Sequence, residues 1–240
     1  MWIIADSHAG QDPASDDALC RLIETAAAES TDLLFLGDLF VVWLGEPRFW
    51  THRQEEVMRR IARARRVHRR RTTFIVGNRD YLITPALRTN YFDAIHTDET
   101  VLDIGGVPTL VVHGDRTNPS DRAYATWYGL SRNFATTWLL QHLPGPLGRE
   151  LAFRVEAKLR PTNRTIKDGG LPMPGLFALG RRAKALGAQR ALIGHYHVHR
   201  VIDVPDGVPV IIAPAWYESR QFMRTGKDGD LVLENAPPSP

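Results

Sequence analysis

With 240 residues, 43% hydrophobic and 24% charged, the chain suits one large domain with its own core and is too short for two equal ones. The formal net charge of +3 is mild, and no apolar run approaches the roughly 20 residues of a membrane-spanning helix. Cys20 is the only cysteine, which rules out an internal disulfide, and Met1-Trp2-Ile3-Ile4-Ala5 lacks the basic start and cleavage site of a secretory signal, so a soluble cytoplasmic protein is expected.

Short, nearly uniform apolar runs at 2–5, 33–36 and 74–76 predict strands covered on both faces. Helical periodicity over 16–30 and 51–70 separates them, so the chain opens βαβαβ. Along 51–70, Val57, Met58, Ile61 and Ala64 share one helical face, and Arg59, Arg60, Arg63, Arg66 and Arg70 gather on the other. That basic face is either solvated surface or a patch attracted to anionic lipid headgroups, each charge contributing about 1 kcal/mol near a membrane.

The pattern then changes. Residues 100–104 and 107–112 flank Gly105-Gly106, and 200–204 and 208–212 flank Asp206-Gly207, which predicts two hairpins and a second sheet. A further strand is expected at 191–193. The stretches 121–143 and 147–159 are helical and rich in aromatics, and we read them as a cap of about 120–186 inserted in a domain spanning 1–234. Packing of the cap's own core is the default for Trp127, Phe134 and Trp138, and an acyl-chain groove is the alternative. Residues 235–240 read as a disordered tail.

Polar residues fall at the ends of these strands in a telling order. Asp6 and His8 follow the first strand, Asp38 the second and Asn78 the third; His113 follows another, and His195 and His197 one more. In an open α/β sheet the carboxyl ends of the strands share one edge, where ligands bind. A lone aspartate after a strand is more often a cap or turn residue, so the argument rests on the joint order. Oxygen and imidazole donors without thiolates suit Mn²⁺, Fe or Zn²⁺. Seven candidates exceed the need of one ion, and with one carboxylate bridging they suit a pair of divalent cations, the device used for displacement at phosphorus.

In this order the motifs resemble those of the calcineurin-like metallophosphoesterases: Asp6-Ser7-His8, Gly37-Asp38, Gly77-Asn78, His113 and Gly194-His195-Tyr196-His197. The resemblance implies a four-layer α/β/β/α sandwich. It also implies one metal on Asp6, His8, Asp38 and His197 and a second on Asp38, Asn78, His113 and His195, with manganese the expected ion.

Within that superfamily, Gly37-Asp38-Leu39-Phe40 with Trp43 and Gly45, and Gly77-Asn78-Arg79-Asp80-Tyr81-Leu82-Ile83, resemble the UDP-2,3-diacylglucosamine hydrolases of lipid A synthesis. Most relatives place a proton-donating histidine after the asparagine. Arg79 keeps its proton at physiological pH and can only stabilise charge, which suits a diphosphate with a weakly basic leaving group. The implied catalytic set is Arg79, His195 and Asp38; the implied substrate contacts are Asn78, Arg79, Asp121, Tyr124, Asn163, Lys167 and His195. A further basic residue of the family falls on Gly170, Val41 stands where an acid is common, and Tyr196 replaces a threonine. The implied partners are a nucleotide-linked glycolipid and the anionic cytoplasmic face of the inner membrane, contacted peripherally, with no nucleic acid. The rivals are a nucleotide or dinucleoside-polyphosphate hydrolase with the same metals, and a non-catalytic protein-binding module on the same scaffold.

Overall fold

The computed structural model of the protein describes residues 1–168 and 170–236, with the side chains of 159–168 outside the description. Among the described residues a six-stranded sheet runs β13-β12-β1-β2-β4-β6. Its members are β1 (Trp2–Ile4), β2 (Leu33–Leu36), β4 (Thr72–Ile75), β6 (Ala94–His96), β12 (Gln221–Thr225) and β13 (Leu231–Asn235). The strands β1, β2, β4 and β6 are parallel, and β12 and β13 complete the sheet antiparallel. A five-stranded sheet runs β10-β11-β9-β8-β7, built from β7 (Thr100–Ile104), β8 (Val107–Val111), β9 (Arg190–Ile193), β10 (Arg200–Ile202) and β11 (Val210–Ile212). Both hairpins expected from the glycine-bearing turns form, β7 with β8 and β10 with β11.

Strand alternation sorts the core into three layers. Trp2, Ile4, Leu33, Phe35 and Phe74 face α1 (Pro13–Ala28) and α2 (His52–Val67), meeting Leu19, Leu22, Ile23, Val57, Met58 and Ile61. From the opposite face of the same strands, Ile3, Leu34, Leu36 and Ile75 meet Ile104, Val111 and Leu192 of the second sheet. Beyond that sheet, Leu110, Ala191, Ile193, Val210 and Ile212 pack on Leu176, Leu179 and Ala183 of α7 (Met173–Ala185). The result is an α/β/β/α sandwich, and every strand that carries a site residue is covered on both faces, which explains why those runs lack polar alternation.

Local chemistry sets the helix limits. Asp12 caps α1 by accepting from Ala14 and Ser15 N–H with Pro13 in the first turn, and Thr51 and Gln54 form a reciprocal capping box on α2. Short pieces β3 (Trp43–Leu44) and β5 (Asp80–Tyr81) pair beside the site, and α3 (Pro85–Asn90) and α8 (Trp216–Ser219) turn the chain at its edges.

The inserted segment contains α4 (Arg122–Arg132), α5 (Phe134–His142) and α6 (Gly145–Asp168). Periodicity predicts one helix over 121–143. Asn133 breaks it, leaving helical geometry with ψ near 164° and accepting from Thr136 N–H as the cap of α5. Three further expectations are corrected. Although read as part of the cap, α7 buries its apolar stripe on the second sheet. Phe134 and Trp138 are 83% and 52% exposed, so neither packs a cap core. Asn235 belongs to β13 opposite Gln221, and Ala236 N–H bonds to Arg220 O; 237–240 lie outside the described residues.

Candidate metal centre

Parallel strands deliver the seven candidate ligands to one edge, and the backbone there is unusual. Asp6, His8, Asp38, His195 and His197 all adopt left-handed φ, between 42° and 67°. Such values are uncommon outside glycine and concentrate where a site dictates the geometry. Cross-loop hydrogen bonds hold them: Asp6 N–H to Gly37 O, His8 N–H to Asp38 O, and His195 N–H to the Asp6 carboxylate at 2.8 Å. Gly37, at φ +82°, sits so close to His113 that a Cβ there would overlap the ring Nδ1.

The side chains converge in two halves. Nε2 of His8 and of His197 lie 3.2 Å apart, with Asp6 Oδ1 3.4 Å from His197 Nε2. In the other half, Asn78 Oδ1 is 3.0 Å from His113 Nε2 and 3.1 Å from His195 Nδ1. Asp38 Oδ1, 3.7 Å from His113 Nε2, stands between the halves. His113 donates from Nδ1 to Leu36 O, so in the neutral ring the lone pair of Nε2 would face other acceptors.

This surplus of acceptors tests the fit of a cation. Asp6 Oδ1 is buried and accepts no hydrogen bond, and the spacings among Asp6, His8 and His197, and among Asp6, Asp38 and His113, suit shared coordination. Titration behaviour agrees. Burial favours the neutral form of Asp6, yet His197, His113 and His8 together hold it well below the ordinary carboxylate range. Burial likewise opposes charge on His113, but Asp38, Asp6 and Asp115 overcome it and push its pKa to about 9. Without a cation the cluster draws a proton onto an imidazole to balance its carboxylates, so divalent ions fit the donor set.

Several supporting groups escaped the sequence. Asp80 accepts from Gly77 and Asp38 N–H at 2.7 and 3.0 Å, shaping the loop that presents Asn78; burial and Asp38 raise its pKa to about 7. Glu218 Oε1 lies 2.6 Å from His197 Nδ1, orienting the ring so that Nε2 faces the cluster. Arg132 of α4 donates from Nη2 to the carbonyls of Gly77, Asn78 and Asp80 at 3.1–3.3 Å, and its guanidinium stacks on Tyr81 and Tyr128. Glu156 of α6 meets Arg79. Only Asp80, two residues from Asn78, left any signal.

The expected substrate contacts fare unevenly. Arg79 lies in the cluster, its Nε 3.4 Å from Asp38 Oδ2. Asp121 caps α4 by accepting from Tyr124 N–H, the ordinary structural use of an aspartate at that position. The Tyr124 hydroxyl, kept protonated by burial and by the nearby carboxylate, donates to Asp115. Asn163 and Lys167 lie outside the described side chains.

Carboxylates and imidazoles thus gather at strand ends on one edge of an α/β/β/α sandwich, the arrangement that the motif resemblance to the calcineurin-like metallophosphoesterases implies. More particularly, the sequence is similar to UDP-2,3-diacylglucosamine hydrolases: 26% identical over 240 residues to that of Shewanella pealeana, with 96% of each chain covered, and 29% identical over 238 residues to that of Xanthomonas campestris pv. campestris, with 92% of each covered. Among solved structures, a novel archaeal phosphodiesterase overlays with a TM-score of 0.48 at 12% identity, covering 97% of both chains. No family model matches the chain.

Proposed function

We propose that the protein hydrolyses the diphosphate of UDP-2,3-diacylglucosamine, releasing UMP and 2,3-diacylglucosamine 1-phosphate. The observation that carries this reading is a permanently charged arginine, Arg79, placed beside Asp38 in the ligand cluster of a chain similar over 92–96% of its length to hydrolases of that substrate. Asp6, His8, Asp38 and His197 would hold one divalent cation and Asp38, Asn78, His113 and His195 the other, manganese being the ion we favour for this oxygen and imidazole set. Bound there, the two cations supply a water nucleophile at neutral pH and neutralise charge on phosphoryl oxygens.

The remaining work falls to side chains. Asp6 stays ionised, His113 keeps Nε2 toward the centre through its Leu36 bond, and Arg79 stabilises negative charge on the diphosphate. Water adds to the α-phosphorus, and the bridging oxygen leaves with the sugar phosphate. That leaving group is a weak base, which accounts for an arginine where an ester hydrolase needs a proton donor.

The cap supports a lipid substrate. It is tied to the Asn78 loop through Arg132, and it exposes Leu130, Phe134, Trp138, Leu139, Leu147 and Leu151. No helix of the described residues is long and apolar enough to cross a membrane. Peripheral contact with the inner membrane's anionic cytoplasmic face would use this side. By contrast, Arg70 and Arg71 bond to Ser30 and Asp32 before the first residues of β2 and β4, at the edge opposite the metal ligands.

The test is UMP release from UDP-2,3-diacylglucosamine in detergent micelles with Mn²⁺, abolished by chelation. Absence of UMP beside good turnover of dinucleoside polyphosphates would defeat the substrate assignment.

A further inference from the structure

Arg79 does not stand alone. Arg79 is 8% exposed, with Nε 3.4 Å from Asp38 Oδ2, while Nη1 lies 2.8 Å from Glu156 Oε1 and 3.3 Å from Val41 O. Glu156, on α6, is itself only 6% exposed. Two of the three guanidinium nitrogens are thus engaged by protein, and Nη2 makes no hydrogen bond among the described residues.

We propose that Glu156 is a positioning residue of the cap, which locks Arg79 so that Nη2 is presented to a phosphoryl oxygen of the substrate. An arginine has a long side chain, and its rigid fork confers directional recognition only when something fixes its plane. The Asp38 contact at Nε, at 3.4 Å, and the Val41 carbonyl on Nη1, at 3.3 Å, are both long and hold that plane only weakly. Adding a carboxylate at Nη1 defines the plane. A buried carboxylate beside a phosphate site otherwise works against anion binding, so its presence in contact with Arg79 calls for a compensating role. From α4, Arg132 grips the carbonyls on either side of Arg79, so α4 and α6 hold the same loop by backbone and by side chain.

This inference rests on the phosphoryl chemistry proposed above but not on the lipid nucleotide itself, and its test separates the two. Full-length, metal-loaded wild type, Glu156→Gln and Glu156→Asp are compared on UDP-2,3-diacylglucosamine and on bis(p-nitrophenyl) phosphate. Binding of inorganic phosphate, followed by calorimetry, reads the same geometry without turnover. For Glu156→Gln, kcat should fall about tenfold while KM stays within about twofold, phosphate affinity should change by about threefold or more, and metal content should hold. Glu156→Asp, which keeps the charge on a shorter arm, should recover a measurable part of the loss. A packing role predicts the reverse ranking, since glutamine is isosteric and aspartate leaves a gap. Unchanged kinetics and phosphate affinity in Glu156→Gln, loss of metal in that variant, or a more damaging Glu156→Asp would each overturn the proposal. Failure of the wild type on the lipid nucleotide alone would overturn only the substrate assignment.

Discussion

Gly77 offers a clean steric test of the metal centre. Its φ is not in the left-handed region, so alanine brings no backbone strain of that kind. What it brings is a Cβ 2.5 Å from Asp38 N, closer still to Asp38 Oδ1, and 3.1 Å from Asp38 Cγ, whereas real Cβ contacts stay beyond 3.0 Å. Asp38 or the Gly77 backbone must therefore move by about half an ångström or more. Asp38 N–H is tied to Asp80, and Asp38 Oδ1 accepts from Arg79 N–H at 2.9 Å, so neither side yields without breaking a buried hydrogen bond. Overpacking of this kind costs about 1–3 kcal/mol, which for a chain of this size lowers Tm by about 3–10 °C. Displacing Asp38, the proposed bridging carboxylate, on that scale should also cut turnover by about ten- to a hundredfold and weaken metal binding. The assays are thermal unfolding of the chelated protein, metal titration and kcat. Gly129→Ala is the control: it lies in α4 with nothing within 4 Å of its Cβ, and it should be neutral or stabilise by up to about 1 kcal/mol. A Gly77→Ala protein with wild-type metal affinity and turnover would refute the close approach of the two loops.

Two further outcomes follow from the same geometry. Glu218→Gln removes the charged partner of His197 Nδ1 and should weaken metal affinity about ten- to a hundredfold, read by metal titration, while Tm of the chelated protein changes little. The chelated protein should also lose stability as pH rises: His113 and Asp80 hold their protons more tightly folded than unfolded, with folded pKa values of about 9 and about 7. Each contribution is fully present below the unfolded value and disappears as pH passes the folded one, so Tm should fall through the Asp80 range of about pH 4 to 7 and then through the His113 range of about pH 6.5 to 9. Metal binding releases the His113 proton, so affinity should climb over that window; a Tm rising from pH 6.5 to 9 would contradict the assigned cluster charge.

Legibility followed physics. Strands buried on both faces announce themselves as apolar runs, and ligands placed at their carboxyl ends stay within two or three residues of them, so Asp6, Asp38 and Asn78 could be placed by counting. Helix ends were harder, because Asn133 stops a helix through a single side-chain bond that periodicity does not register. Groups that act across the fold left the least trace. Glu156 and Glu218 look like ordinary charged positions on their helices; only tertiary packing brings one to Arg79 and the other to His197. For α7 the apolar stripe was visible, but the partner of that stripe was a matter of topology.

Backbone strain is concentrated at the candidate ligands. Left-handed geometry at a residue with a Cβ costs on the order of 1–2 kcal/mol, less for aspartate, and five ligand residues adopt it. Hydrogen bonds between separate loops hold them, such as His8 N–H to Asp38 O and Tyr217 N–H to Asp6 O. Those loops are in turn anchored to strands whose two faces are buried, so the sandwich sustains a strained edge that an isolated loop could not keep. From the other side Arg132 and Glu156 grip the loop of Asn78 and Arg79, whose residues, like His113, are not left-handed. Strained, cross-bonded loops fix the candidate ligands contributed by β1, β2 and β9, and Arg132 of α4 and Glu156 of α6 hold the loop after β4, so on the function proposed here the inserted helices help to shape the centre.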